Sequence, residues 1–349
     1  MCEVQGGGLI DPSLTKLLGF LLLSMLVSSA MSAIVVRLAR SQGWTDRPGL
    51  ISSHQFPTPT RGGIVFVVLS TLAAIVWAFP QPGDSNYVWG WFVGLWSLAV
   101  VGFVDDVRPL PVAPRLAVHF VAAVLAVLSM SLTALPLWAL AGLVVWFVWC
   151  VNFFNFMDGI DGMLASNGAL ICLCAALLSF LAGAASVAFF WIVIAGILLG
   201  FLTQNWAPAK IFLGDTGSGP IGFLVATGLV YCASVGTIAP MLGLILLSPL
   251  LCDASVTLVR RVWRGERWYQ GHRTHAYQIL SRRWGHSKVV LAWLAAWAAW
   301  VVPGALVAQS RPELAPVIAG IVVTVNCMVM FWLGAGLADA GSDQSEVPK

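Results

Sequence analysis

Charge-free stretches alternate with short polar segments along almost the whole chain. A helix of about 20 apolar residues crosses the hydrocarbon core of a bilayer. Five charge-free runs predict one helix each, and three longer runs predict two each, with breaks near Pro136, Gly183 and Gly236. The shorter runs are 17–36, 62–83, 85–104, 289–310 and 314–338, and the longer ones are 116–157, 162–209 and 216–259, the last interrupted only by Asp253. We therefore predict an all-α polytopic membrane helix bundle of about eleven transmembrane helices, or about ten if one short run does not cross.

The composition supports this class of protein. Hydrophobic residues make up 59% of the 349 residues and charged residues only 9%, with a mean hydropathy of +0.89, whereas about a quarter of a soluble domain is charged. The seven cysteines show no C-x-x-C pair and most lie in apolar runs, where cysteine behaves as a small core residue. We expect neither disulfides nor structural zinc.

The basic residues indicate an orientation, because cytoplasmic loops of membrane proteins carry an excess of Lys and Arg. If the segment after the first run is cytoplasmic, every Lys and Arg except Lys16 and Arg311 falls on the cytoplasmic side. We therefore expect an extracytoplasmic N-terminus and a cytoplasmic C-terminus. The predicted division is an extracytoplasmic lead (1–16), one integral membrane domain (17–338) with cytoplasmic loops at 38–61, 105–115, 157–165, 204–217 and 260–288, and a cytoplasmic tail (339–349).

Polar side chains recur every third residue across the end of the run 116–157. They are Asn152, Asn155, Asp158 and Asp161, and in a helix residues three and four apart are neighbours. A capped helix end followed by a turn would account for one Asp. Ionisable residues at the membrane edge of so apolar a chain favour a functional site instead.

Two further acidic motifs fall on the same predicted face. Adjacent carboxylates such as Asp105 and Asp106 titrate as a coupled pair, which suits either a metal ion or a proton acceptor, although a solvated turn would also contain them. Gly214-Asp215-Thr-Gly-Ser218 precedes a predicted helix, so Asp215 and Ser218 could simply cap that helix. Asp253 is more than a turn inside its span, and we expect it to face other helices and pair with an arginine of the next loop.

Basic residues follow at several predicted loops. Arg61 ends a Pro-Thr-Pro…Arg-Gly-Gly segment, which predicts an ordered turn, or a rigid connector with positive-inside arginines. Arg115 and His119 follow at helical spacing; one of them is interpreted as a membrane-edge anchor, with binding of an acidic headgroup as the alternative. The segment 260–288 combines arginines with aromatics; this pattern could indicate nucleic acid, but in a polytopic protein it favours a membrane-surface helix. The closely spaced His272, Arg273 and His275 are interpreted as a phosphate-binding cap, because Arg matches phosphate oxygens with a planar fork.

Carboxylates and an amide facing a basic loop predict a site for Mg²⁺ and phosphates. Mg²⁺ prefers a few carboxylate or amide oxygens together with substrate phosphates and water. In that role it would bridge a diphosphate and stabilise the charge that develops on the leaving phosphate. Mn²⁺ is an alternative ion.

At these residues the sequence resembles a known family, the polyprenyl-phosphate N-acetylhexosamine-1-phosphate transferases of the glycosyltransferase 4 type. The resemblance covers roughly residues 17–338, and the motifs occur in the family's order. They are Pro57-Thr-Pro…Arg61-Gly-Gly, Asp105-Asp106, Asn152-x-x-Asn155-x-x-Asp158-Gly-x-Asp161-Gly, Phe212-x-Gly-Asp215-x-Gly-Ser218 and Arg260-Arg…His272-Arg-x-His275.

The resemblance implies roles for individual residues. Asp215 and Asn155 resemble the metal ligands, and Asp105 and Asp106 the pair that orients or deprotonates the lipid phosphate. Asp158 is similar to an acid beside the nucleotide. The resemblance gives the substrate-binding role to Asp161, Asn205, Arg61, His272, Arg273 and His275.

The implied reaction joins UDP-N-acetylhexosamine to undecaprenyl phosphate and releases UMP. It implies a multi-pass protein of the bacterial cytoplasmic (inner) membrane with its active site on the cytoplasmic face. Membrane lipid is an expected partner and nucleic acid is not. The oligomeric state stays open, with a homodimer among the alternatives.

One motif departs from part of the family. The last loop reads His272-Arg-Thr-His275-Ala-Tyr-Gln, where the peptidoglycan enzyme and several relatives have a run of histidines. This difference argues against a MurNAc-pentapeptide substrate. The chain is more similar to the O-antigen-initiating branch, whose donors include UDP-GlcNAc and 6-deoxy sugars such as FucNAc or QuiNAc.

Other classes of function make different predictions. A proton-coupled secondary transporter would have ionisable residues near the midplane, an internal repeat and broken helices at matching positions, whereas only Asp253 lies at depth and no repeat is visible. A structural scaffold leaves the carboxylates unexplained. A CDP-alcohol phosphatidyltransferase would need a different arrangement of Asp residues.

Overall fold

The computed structural model describes residues 12–46, 57–78, 86–130, 132, 134–267 and 269–337. Within these residues, ten helices are long and apolar enough to cross a membrane, and Gly63–Val76 forms a shorter apolar helix. The described residues contain almost no sheet. The predicted all-α membrane bundle is therefore confirmed. The tail 339–349, most of the lead 1–16 and part of the loop 38–61 lie outside the described residues.

The elements follow the hydrophobic pattern closely. The helices are α1 Pro12–Gln42, α2 Gly63–Ala78, α3 Asn86–Val107, α4 Val112–Ser129, α5 Leu137–Phe156, α6 Met163–Leu181, α7 Ala185–Asn205, α8 Asp215–Ser234, α9 Leu242–Trp263, α10 Ala276–Trp284, α11 His286–Ala296, α12 Val302–Ser310 and α13 Ala315–Trp332. A π-helical turn, Trp297–Val301, joins α11 and α12 into one span, and a 3-10 turn, Pro312–Leu314, precedes α13. The strands are β1 Thr45–Asp46 and β2 Thr58–Pro59.

The breaks inside the three long runs fall where the sequence predicts them. Pro136 immediately precedes α5, because its fixed φ suits the start of a helix and it has no N–H to leave unsatisfied. Gly183 and Gly236 have φ of 76° and 74°, a left-handed conformation that glycine adopts without a steric penalty. Each glycine therefore ends a helix and turns the chain back through the bundle.

Burial distinguishes the centre of the bundle from its edge. In the most apolar 18-residue window of α8, 78% of the residues are buried, against 17% for α1. Helix α8 packs against α2, α3 and α5. A helix that is apolar all round is stable either in such a core or against lipid, so α8 is the central helix and α1 lies at the edge.

A small ribbon joins the central helix to the segment before α2. Strands β1 and β2 pair antiparallel, Thr45 with Pro59 and Asp46 with Thr58. The carbonyl of Pro59 accepts a hydrogen bond from the Phe212 N–H at 2.8 Å. The predicted ordered turn is thus present in its described part, and it lies beside the start of α8.

Candidate active site

One cavity of about 620 Å³ opens where the ends of α3 and α7, the start of α8, the turn after α5 and the β-ribbon meet. We call it the acidic cleft. Amides reach it from Asn155, Asn205 and Gln278. Its charged lining consists of Asp46, Asp105, Asp106, Asp158, Asp161, Asp215 and Arg61. The structure therefore brings together acids that the sequence scatters over more than a hundred positions.

Asp106 binds the N-terminus of α8 from the end of α3. Its Oδ1 accepts the N–H of Asp215 at 2.8 Å, and its Oδ2 accepts the N–H and the hydroxyl of Thr216 at 3.0 and 2.6 Å. A carboxylate at a helix N-terminus satisfies free N–H groups and complements the helix dipole. Gly214, with φ of 70°, leaves room for it, since a β-carbon there would crowd the Asp106 carboxyl.

This contact corrects the capping alternative of the sequence analysis. No side-chain cap is made at the start of α8 by its own residues. Because Asp106 satisfies the N–H groups there, the Asp215 side chain is free to point into the acidic cleft. Asp106 lines the cleft as well, but a large part of its bonding capacity goes to α8.

Asp105 is bound by the loop that follows α3 and by the start of α4. It accepts the Leu110 N–H and an Arg115 guanidinium N–H, each at 2.6 Å. The same Arg115 nitrogen lies 3.5 Å from Oδ2 of Asp215. Arg115 thus links two carboxylates of the site rather than serving only as a membrane anchor. His119, one helical turn further on, lies beside Asn152 at 3.2 Å.

Asn155 meets Asp215 at the cleft wall. Its Nδ2 donates to Asp215 Oδ1 at 2.7 Å and to Ser218 Oγ at 3.0 Å. These two residues are the pair that the family resemblance suggests as metal ligands. Among the described residues, no group of three or more His, Cys, Asp or Glu side chains is arranged to hold a metal ion.

Asp158 lies on the turn 157–162, which follows α5 and which we call the Asp158 turn. Burial raises the pKa of Asp158 well above its ordinary value, and the negative charges of Asp215, Asp106 and Asp161 raise it further. Carboxylates this close repel one another, so a bound cation would favour their ionised forms. The acidic cleft is electrostatically suited to a positive charge.

Asp161 and Asn205 join three segments at the wall of the cleft. Asp161 Oδ2 accepts the Ala209 N–H at 3.1 Å and lies 3.3 Å from Nδ1 of His286. Asn205, which is buried, accepts the Gly162 N–H at 3.1 Å and donates to the Ile211 carbonyl at 2.9 Å. The amide of Asn205 therefore serves the backbone on both sides.

Arg61 is the one cationic side chain among the described residues of the cleft lining. Its guanidinium lies 5.2 Å from the ring centre of Trp44 and 5.3 Å from that of Phe103, which is within the range of cation–π attraction. Its backbone φ is 68°, a left-handed conformation that is unfavourable for a residue with a β-carbon. The chain keeps a strained arginine at the mouth of an acidic cavity.

The His-Arg-x-His motif is in a different place from the one predicted. None of His272, Arg273 and His275 lies in the cleft lining, to which α10 contributes Gln278. His275 is buried, with Nδ1 3.4 Å from Asp253 Oδ1. Burial, with the charges of His275 and Arg261, lowers the pKa of His272 to about 3, so the His272 ring is neutral near pH 7.

Asp253 is bound by backbone N–H groups and a hydroxyl instead of the predicted arginine. Asp253 accepts the N–H groups of Ala276 and Tyr277 at 2.9 and 3.2 Å and the Thr257 hydroxyl at 3.2 Å. The sequence does not predict this contact or the positions of Gln278 and His286, and for Arg115 it predicts a membrane-edge or headgroup role rather than a contact with Asp105. Only Arg115 carried a visible signal, since it stands a short loop away from Asp105.

Comparisons with known proteins agree with this arrangement. The family model described as glycosyl transferase family 4 matches residues 88–233, the part from α3 to α8 that carries Asp105, Asp158 and Asp215. Over 262 residues the chain is 28% identical to a phospho-N-acetylmuramoyl-pentapeptide-transferase of Moorella thermoacetica, covering 67% of this chain and 79% of that protein.

Two clostridial proteins with the same name also match. One, from Clostridium botulinum strain Alaska E43, is 29% identical over 192 residues, which are 49% of this chain and 58% of the relative's length. The other, from strain Eklund 17B, is 52% identical over 52 residues, 15% of this chain and 16% of its own length. The family resemblance noted in the sequence is thereby confirmed: the chain is similar to glycosyl transferase family 4 over residues 88–233 and to transferases that act in the same class of reaction.

Proposed function

We propose that the protein transfers an N-acetylhexosamine-1-phosphate unit from a UDP-sugar to undecaprenyl phosphate and releases UMP. The observation that carries this proposal is the convergence of Asp105, Asp158 and Asp215 on one cleft beside ten membrane-capable helices. A site of this kind suits a reaction between a water-soluble diphosphate and a phosphate carried by a lipid. The names of the related transferases support the same class of reaction.

The chemical step exchanges one diphosphate bond for another. An oxygen of the lipid phosphate attacks the β-phosphorus of the UDP-sugar, and the bond from that phosphorus to the oxygen bridging the α-phosphate breaks. UMP leaves with that oxygen, and the sugar stays on the β-phosphate. Because bonds of the same type break and form, we expect the reaction to be nearly isoenergetic and reversible without a separate energy source.

Different residues of the chain would have different roles in this step. Asp105 or Asp106 would orient the lipid phosphate or accept its proton, in line with the attack. Asp158 and Asp161 face the nucleotide side of the cleft, and Arg61 offers a guanidinium to the diphosphate. The single positive charge of Arg115 lies 2.6 Å from Asp105 and 3.5 Å from Asp215, and it partly offsets their negative charges, which would ease the approach of a phosphate anion.

The donor atoms at the site fit Mg²⁺, with Mn²⁺ as an alternative. Asp215 and Asn155 are in contact and both reach the cleft. An ion held by one carboxylate and one amide takes its remaining ligands from phosphates and water, as Mg²⁺ commonly does. When bound there it would supply charge stabilisation to the leaving phosphate.

The rival transporter hypothesis depends on Asp253, the acid at depth in the bundle. Its carboxyl oxygens accept two backbone N–H groups and a hydroxyl from the protein itself. This arrangement suits a fixed structural acid better than a carrier of moving ions. We place the site on the cytoplasmic face of the bacterial inner membrane, where the nucleotide is available.

The identity of the donor sugar is a further part of the proposal. We favour a donor of the O-antigen type, such as UDP-GlcNAc, UDP-FucNAc or UDP-QuiNAc, because Gln278 rather than a histidine extends from α10 to the cleft. The relatives are named for a different donor, one with a muramoyl pentapeptide. The donor is therefore the first quantity to measure.

The deciding experiment uses the full chain purified in detergent. UMP release is measured with undecaprenyl phosphate and each of four donors: the three named above and UDP-MurNAc-pentapeptide. We expect release only when both substrates and Mg²⁺ are present, and labelled UMP should exchange into the donor because the reaction is reversible.

Each result has a defined meaning. Release with the pentapeptide donor alone keeps the reaction class and replaces the O-antigen donor. If no donor reacts in the presence of undecaprenyl phosphate, while reconstituted vesicles accumulate solute in response to a proton gradient, the transferase proposal is wrong and the transporter is right.

A further inference from the structure

The carboxyl group of Asp253 is a polar group fully buried inside the bundle. Its side chain is 0% exposed. It accepts the first two backbone N–H groups of α10, from Ala276 and Tyr277, at 2.9 and 3.2 Å. A buried acid is costly unless hydrogen bonds satisfy it, and free N–H groups at a helix N-terminus are suited to an acid. The two groups therefore fix one another, so α10 can start in only one place.

Helix α10, which is held at its N-terminus by Asp253, contacts the Asp158 turn through a tyrosine side chain. The Tyr277 side chain is fully buried, and its hydroxyl donates to the carbonyl of Phe156 at 2.8 Å. Burial raises the pKa of Tyr277 well above its ordinary value, so the hydroxyl keeps the proton that it donates. Phe156 is the last residue of α5 and stands two positions before Asp158.

The fit between Tyr277 and the Asp158 turn is close. A β-carbon placed on Gly159 would overlap the Tyr277 hydroxyl and would lie 2.6 Å from Nε2 of Gln278. Only glycine at this position allows α10 to approach so closely. The contact therefore lies next to Asp158, and through Gln278 it reaches the lining of the cleft.

Stacked rings support the same junction. The His275 ring lies 6.0 Å from the Phe156 ring and 5.8 Å from the Tyr277 ring, with interplanar angles of 27° and 25°. His275 immediately precedes α10 and lies beside Asp253. The buried histidine of the motif thus fills the space between α5 and α10.

From these contacts we infer that Asp253 is a positioning residue of the active site, acting on Asp158 through the N-terminus of α10 and Tyr277. The chain of contacts runs from Asp253 to Tyr277, from Tyr277 to Phe156 and Gly159, and from there to Asp158. This inference rests on the proposed function for its kinetic consequence, while its structural consequence can be measured without any substrate.

Two substitutions test the chain of contacts. Asp253→Asn places an amide N–H₂ against the N–H groups of α10, and Tyr277→Phe removes only the hydroxyl that binds Phe156. We expect each to lower kcat about tenfold, the equivalent of one net hydrogen bond, with the donor KM changing less than about threefold. The matched control is Tyr231→Phe, in the last turn of α8 and about 24 Å along that helix from Asp215, which should leave kcat unchanged.

Hydrogen exchange gives a readout that does not need activity. In detergent, peptides covering residues 157–162 should exchange faster in Tyr277→Phe and Asp253→Asn than in the parent chain and in Tyr231→Phe. Peptides from α6 and α7 should not change. The hydrogen-exchange measurement does not depend on a substrate. Faster exchange in the Asp158 turn would therefore support the positioning role even if no donor reacts. In that case only the transferase proposal fails.

The inference is overturned by either of two results. In one, kcat falls while the Asp158 turn exchanges as in the parent chain. In the other, exchange rises equally in the turn and in α6 and α7, which would mean that the substitutions only loosen the bundle.

Discussion

Asp106 and Asp253 make the same kind of contact in two regions of the molecule. Each comes from a neighbouring helix and accepts two backbone N–H groups at the start of another, α8 for Asp106 and α10 for Asp253. They differ in what lies on the other side. Asp106 borders the acidic cleft, whereas Asp253 is fully enclosed by protein.

One kind of interaction therefore serves two purposes in this molecule. At the cleft, the contact leaves the Asp215 carboxyl in the cleft lining together with Asp158, where a substrate can meet both. In the core, the acid accepts hydrogen bonds from the start of α10, and α10 in turn contacts the turn that carries Asp158. Substitutions at the cleft should therefore act on the rate directly, whereas substitutions at Asp253 should act on the rate through the local order of the turn.

The largest effect is expected at the cleft. Asp215→Asn removes the charge of the carboxyl that meets Asn155 and Arg115, and activity should fall by more than about 100-fold, as when a group that stabilises transition-state charge is lost. UMP release measures the rate, and thermal unfolding in detergent should be unchanged. The control is Glu266→Gln, which pairs with Arg261 away from the cleft. Retained turnover at normal Mg²⁺ would remove Asp215 from the site.

A second prediction compares the two capping acids directly. Asp106→Asn and Asp253→Asn should each lower the free energy of unfolding by about 1.5–3 kcal/mol, the usual contribution of hydrogen bonds to a charged group. Thr216→Val removes one of three bonds to Asp106 and should cost about 0.5–1.5 kcal/mol. Chemical denaturation measures all three. Equal stability of Asp106→Asn and the parent chain would show that Asp106 does not cap α8.

A third prediction concerns pH. Because the folded protein raises the pKa of Asp158, the folded state binds that proton more tightly than the unfolded state. This contribution to stability is complete below the unfolded pKa and is lost as the pH rises through the raised one. Asp158→Asn should therefore unfold at a higher temperature than the parent chain at pH 8, by a margin that shrinks towards pH 4.

The measurement is a series of thermal unfolding curves between pH 4 and pH 8. Glu313→Gln, an exposed carboxyl, serves as the control, and its difference from the parent chain should stay constant with pH. A pH-independent difference for Asp158→Asn would contradict the raised pKa.

The smallest effect is expected for Arg61. Arg61→Gly relieves a left-handed conformation that costs about 1–2 kcal/mol in a residue with a β-carbon, while it removes the guanidinium from the cleft. We expect slightly higher thermal stability together with a raised KM for the donor. Arg311→Gly, on an exposed segment, is the control. Lower stability in Arg61→Gly would mean that the contacts with Trp44 and Phe103 outweigh the strain.

The class of fold and the acidic half of the site can be predicted from the amino-acid pattern alone. Charge-free runs long enough to cross a bilayer leave little choice but helices, and the breaks at Pro136, Gly183 and Gly236 follow from the backbone preferences of proline and glycine. Acids are so costly in apolar surroundings that Asp105, Asp158 and Asp215 had to share a wet cavity.

The hydrogen-bond partner of each polar side chain, by contrast, depends on how the folded chain packs. Asp106 and the N–H of Asp215 are 109 residues apart in sequence, so no local pattern shows that one caps the helix of the other. The spacing of His272, Arg273 and His275 is compatible both with a phosphate-binding cap at the surface and with side chains buried in the bundle. His275 is buried because α10 packs against Gly159 and Asp253. A buried acid and a free helix end satisfy one another only when the folded chain brings them together.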